Sequence, residues 1–211
     1  RMFVANEDVF YYITLMNENY PQPAMPTGVE EGILKGIYRL RTVGEEAGIR
    51  VRLLGSGAIL REVEAAAEML HADYGVTAEV YSLTSANELA REARDVARWN
   101  LLHPKLERRQ SHFAQVMEGE APIVAASDYI KSLVEPLRGE VSCRFRVLGT
   151  DGFGRSDTRE KLREFFEVDR RFIVLAALSE LAEQQQVSLD AVEAARESLG
   201  IDSAKANPRL V

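Results

Sequence analysis

From Ile37 onward, short β-branched or apolar runs alternate with longer segments whose apolar residues recur at helical spacing. No other pattern in the chain restricts its fold so strongly. Strands are expected at residues 37–42, 51–54, 78–83, 123–126 and 145–148. Helices are expected over 58–70, 86–98, 112–117, 128–137, 158–166, 170–185 and 189–199. Strands separated by helices of this length need crossover connections, which make a mostly parallel sheet covered on both faces. The expected class is therefore α/β, a three-layer α/β/α sandwich around a five-stranded sheet.

Residues 169–185 are apolar on nearly every side, through Phe172, Val174, Leu175, Ala176, Leu178 and Leu181. Such a helix is buried on more than one face. It either lies between the sheet and another helix or joins a subunit interface. Upstream, residues 9–15 (VFYYITL) read as a buried strand. Residues 17–28 carry Pro21, Pro23 and Pro26 and read as an extended crossing segment. Residues 28–35 are at most a short helix. Two parts follow, a leading strand and linker over 1–36 and the α/β unit over 37–211. Arg1 and Met2 would continue a helix whose earlier turns are absent, so the chain is expected to be a piece of a longer protein.

Composition narrows the function classes. The chain has 211 residues, 46% apolar and 28% charged, enough for one ordinary α/β core. No run approaches the roughly 18 apolar residues of a membrane-spanning helix. A net charge of −7 argues against a nucleic-acid surface. Arg108–Arg109 and Arg170–Arg171 have acids interleaved, as in a solvated face or an interface. The single cysteine, Cys143, excludes an internal disulfide and suits a reducing cytoplasm. It reads as an inert half-buried thiol, with no histidine nearby in sequence.

Two glycine-rich turns carry the chemical possibilities. Gly55-Ser56-Gly57 follows a strand and opens a helix, and a nucleotide could be recognised at such a turn. The dinucleotide fingerprint, however, wants a small residue where Leu60 stands, so a structural turn is the plainer reading. Gly149, Gly152 and Gly154 lie between the last strand and a helix expected to be capped by Ser156 or Asp157. Backbone amides in such a loop converge on an anion or a partner, or the glycines simply make the turn. In either case at least one of the three should have positive φ.

The wording of the second stretch, LGTDGFGRSDTREKLREFFEVD, resembles the C-terminal domain of transketolase-like thiamine diphosphate enzymes. With residues 10–28 (FYYITLMNENYPQPAMPTG), 53–60 (LLGSGAIL), 98–104 (RWNLLHP) and 207–211 (NPRLV), the chain resembles the C-terminal region of the homodimeric bacterial pyruvate dehydrogenases over its whole length. The resemblance implies strand order 1-3-2-4-5 with the first strand antiparallel. It implies that the longer enzyme decarboxylates pyruvate with thiamine diphosphate and magnesium, in a homodimer, and reductively acetylates the lipoyl group of an acyltransferase partner. The thiazolium ylid supplies nucleophile and electron sink.

The cofactor-holding pieces are not expected in this chain. Enzymes of this class hold magnesium with a Gly-Asp-Gly segment and a pair of asparagines further on. Here Thr150 precedes Asp151, and the next asparagine is Asn207. The family's catalytic glutamate would precede Arg1, and Glu30 and Glu31 look solvated. Of the three histidines, His71 and His112 sit at helix ends. His103 lies in an aromatic-apolar turn, either packed and hydrogen-bonded or facing an active-site approach. No histidine pair has metal-ligand spacing, and no G-x-S-x-G elbow is present. The chain is thus expected to bind no cofactor and to work as dimer surface and channel backing. His103, Asp151, Arg155 and Asp157 are the interface or channel candidates. An independent ligand-binding or regulatory module of the same fold is the alternative.

Overall fold

In the computed structural model, which describes residues 1–11, 19–45 and 47–211, the alternation becomes one five-stranded sheet. The strands are β1 (Ile37–Val43), β2 (Arg50–Gly55), β3 (Thr77–Leu83), β4 (Ile123–Ala126) and β5 (Phe145–Leu148), in spatial order β1-β3-β2-β4-β5. All neighbours are parallel except β1 and β3. This is the order that the family resemblance implies.

Side chains alternate between two cores, as a pleated strand dictates. Leu53 and Val124 face a cluster with α2 (Leu60–Tyr74), α6 (Arg170–Glu183) and α7 (Leu189–Ser198). Leu54, Ile123 and Phe145 face the opposite cluster with α3 (Ala86–Leu102) and α4 (His112–Val116), where Phe113 meets Phe145 edge-on at 6.1 Å. The other α-helices among the described residues are α1 (Glu30–Lys35) and α5 (Arg159–Phe165). The all-round apolar helix α6 packs against α2, α7 and β4, with Leu178 and Leu181 buried. It lies between sheet and helices, the first of its two readings.

Two expectations are corrected. The helix expected over 128–137 is a pair of 3₁₀ turns, Lys131–Leu133 and Glu135–Glu140. Pro136 has no N–H for an α-helical bond to Ser132 and would crowd that residue's carbonyl. The cap of α5 is Thr158, one residue beyond Asp157, and its hydroxyl accepts from the Lys161 amide at 3.4 Å. The Asp157 carboxylate instead accepts from the adjacent Thr158 amide at 2.7 Å. The strand expected over 9–15 falls largely outside the described residues, and its first three residues are in no strand. Among the described residues no helix is long and apolar enough to cross a membrane.

Buried charges tie elements together. The Arg52 guanidinium, on β2, donates to the carbonyls of Met117 at 2.9 Å and Glu118 at 2.7 Å. It thereby pins the approach to β4. Glu62, 6% exposed, accepts from the Arg170 amide at 3.1 Å and its Nε at 2.9 Å, and pairs with Arg163 at 3.3 Å. Burial by itself would raise the Glu62 carboxyl, but hydrogen bonds and charge from Arg170 hold it below the ordinary carboxylate value.

Candidate functional site at the carboxyl end of the sheet

β2 connects towards β3, whereas β4 connects towards β5 on its other side, so the chain diverges between β2 and β4. Open α/β sheets leave a crevice at such a point, beyond the carboxyl ends of the strands. Gly55 lets α2 close onto β2, since a Cβ there would stand 2.7 Å from the Leu60 Cα. Gly57 has φ 54°, and a Cβ there would meet nothing nearer than Asp128 Oδ1 at 3.8 Å. Ala58 and Ile59, which follow the turn, line a cleft of about 340 Å³ together with Asp128, Thr150, Leu162 and Phe166. Arg155, Arg159 and Arg163 also line it.

The loop after β5 is braced from behind. The Thr150 amide donates to the Tyr129 carbonyl at 3.0 Å, and its hydroxyl donates to the Asp128 carbonyl at 2.7 Å. Asp151 Oδ1 accepts from the Lys131 amide at 2.9 Å. Gly149 is needed for the close approach, because a Cβ would stand 2.6 Å from the Tyr129 carbonyl oxygen. Gly152 has φ 114°, the expected positive value, and faces the Pro208 carbonyl with 2.6 Å for a Cβ. Phe153, 80% exposed, projects outward from this braced base.

The candidate residues separate into two places. Asp151, Arg155 and Asp157 share the loop after β5. Asp151 is internal to its architecture, Arg155 lies over the Phe165 ring at 5.1 Å, and Asp157 is exposed. His103 is elsewhere, because α3 starts just past the carboxyl end of β3 and runs back about 25 Å. Its ring stacks on Trp99 at 4.4 Å, and Nδ1 donates to the Trp99 carbonyl at 2.8 Å. The Arg109 guanidinium lies 3.7 Å from the Trp99 ring centroid. Two face-on neighbours this close occupy opposite faces of the indole.

Sequence reasoning missed Arg159 and Arg163 in the cleft. It also missed Asn100, whose side chain donates to the Arg109 carbonyl and accepts from the Arg109 amide, both at 2.9 Å. No local pattern marks either, since the partners meet only after folding. The 149–152 segment does not fit a diphosphate–magnesium site. Its carboxylate accepts from the Lys131 backbone amide, and no asparagine follows it before Asn207.

Burial raises the Cys143 thiol above its ordinary value, as suits an unreactive core side chain.

The chain is 51% identical over 210 residues to the pyruvate dehydrogenase E1 component of Pseudomonas aeruginosa, and 54% identical over 205 residues to that of Escherichia coli K12. These alignments cover 99% and 97% of the chain but only 24% and 23% of those proteins, which it matches in their C-terminal part. Among solved structures, transketolase from Leishmania mexicana superposes on 73% of the chain and 19% of its own length, at 19% identity and a TM-score of 0.48. Residues 36–169 match the transketolase-like TK C-terminal domain. With that match over most of its length and a sheet in the order implied by the resemblance, the chain belongs to the family of transketolase-like C-terminal domains.

Proposed function

We propose that this chain serves as the C-terminal domain of an enzyme that decarboxylates pyruvate and passes the acetyl group, with reduction, to the lipoyl arm of an acyltransferase partner. The observation carrying the reading is identity near 50% along essentially the whole chain to pyruvate dehydrogenase E1 components. Bound thiamine diphosphate, with magnesium, supplies the nucleophile and electron sink of that reaction. Residues 149–152 do not suit the pair, so this domain leaves cofactor binding to other parts of the enzyme.

Its own work is mechanical. A sheet covered on both faces offers rigid backing to an active-site channel and a surface for the second subunit of a homodimer. Arg155 and Asp157, exposed on a loop braced by Asp151, supply contacts, and His103 supplies another at the far end of α3. The enzyme works in the cytoplasm, apart from membranes and nucleic acid.

The test is Arg155→Ala with Asp157→Ala in the full-length enzyme, followed by sedimentation and lipoyl acetylation. A weakened homodimer with reduced acetylation is expected, without loss of secondary structure. Unchanged dimer and activity would refute the interface role. Calorimetry of the 211-residue chain with thiamine diphosphate and magnesium should show no stoichiometric site, and a micromolar one would overturn the cofactor assignment.

A further inference from the structure

Of the residues that line the cleft between the carboxyl ends of β2 and β4, that reading uses Arg155 alone. We propose that the cleft binds a small organic anion, one that joins a phosphate or diphosphate group to a planar or apolar body. The inference stands apart from the domain's role in the whole enzyme, because it concerns this chain alone.

Place, size and chemistry agree. The cleft lies at the divergence of the crossovers, where open α/β sheets hold their ligands. Its volume, about 340 Å³, suits a small molecule. Leu162 and Phe166 offer the apolar wall against which a planar body would lie. Gly57 precedes the cleft residue Ala58, and a Cβ on it would meet only Asp128 Oδ1, at 3.8 Å.

Arg155, Arg159 and Arg163 give this wall its charge. Arg159 and Arg163 are engaged within the protein, Arg163 with Glu62. Each guanidinium nevertheless carries five N–H donors, more than one carboxylate uses. Arg155 lies over the face of Phe165, a contact that requires no hydrogen-bond acceptor, and so its donors suit phosphate oxygens. Asp128 is the acidic group of the cleft. Its carboxylate would accept from a hydroxyl or amine on the ligand and would repel a bare dianion. Anion, planar body and hydrogen-bond donor together describe a nucleotide-like molecule.

ADP and inorganic phosphate are the probes, each titrated into the 211-residue chain by calorimetry, with amide chemical shifts to locate binding. ADP should saturate at submillimolar concentration, phosphate should bind at least about tenfold more weakly, and shifts should centre on Gly57, Thr150 and Gly152. Arg155 and Arg159 are exposed, so Arg155→Gln with Arg159→Gln should leave the fold intact. That pair should weaken ADP about tenfold or more. Asp128→Asn should change the preference for ADP over phosphate. No saturation at millimolar ADP, shifts centred elsewhere, or unchanged affinity in the arginine variant would each overturn the proposal. Phosphate binding as tight as ADP would overturn the planar-body part.

Discussion

Glu62 on α2 and Arg170 at the start of α6 are joined through both backbone and side chain, across 108 residues of sequence. The contact fixes where α6 begins against α2, and its ionised form is the favourable one. The folded-state carboxyl lies below its reference value of 4.5. Its contribution to stability is therefore present above that reference and is lost as pH falls through the folded value. Glu62→Gln should cost roughly 1–3 kcal/mol at neutral pH. It should also flatten the fall in urea midpoint on acidification below about 4.5. Equal acid sensitivity in both proteins would remove Glu62 from this account.

Two glycines of one loop should respond oppositely to the same change. Gly152→Ala puts a Cβ in the left-handed region and against the Pro208 carbonyl, whereas Gly154 has open space before it. The first should lower stability by about 1 kcal/mol or more, and the second should leave it within about 0.5 kcal/mol. Thermal unfolding of the two variants decides it, and similar losses at both positions would contradict the geometry.

Cys143 should be slow to react in the native state. Its raised thiol pKa and its burial both suppress the thiolate. A disulfide reagent at pH 7 should modify it far more slowly than in urea, with one equivalent released on unfolding. Labelling as fast in the native protein as in urea would place the thiol at the surface.

Asn100→Ala should release the segment between Asn100 and Arg109. Two hydrogen bonds vanish and the Arg109 amide loses its partner, a loss of roughly 1–3 kcal/mol. Trp99 is the sole tryptophan and lies under the Arg109 guanidinium, so its fluorescence reports the change directly. An unaltered emission spectrum together with unchanged stability would argue that the amide pair is dispensable.

The elements that could be read from residues alone are those whose burial is local in origin. Ile123-Val124-Ala125-Ala126 is apolar on both faces because β4 has neighbours on both sides and core above and below. The same reasoning found α6. It overran at 128–137, where apolar spacing looked helical but Pro136 interrupts the backbone. Strand order came from the resemblance rather than from periodicity. Glu62 and Arg52 were illegible for a different reason. An acid in an amphipathic helix and an arginine in a strand look solvated until distant partners arrive, for Glu62 from Arg163 and Arg170. Arg159 and Arg163 were hidden likewise, because a seven-residue helix does not announce which side it turns inward.

The reciprocal bond between Asn100 and Arg109 closes an excursion whose leucines, Leu101, Leu102 and Leu106, lie mostly in the open. One side chain seals the neck, so what is strung between the two ends does not enter the core. Insertions, deletions and new side chains there can accumulate without disturbing the sheet. The excursion is a place where this architecture can acquire new recognition while the rest of the chain stays as it is.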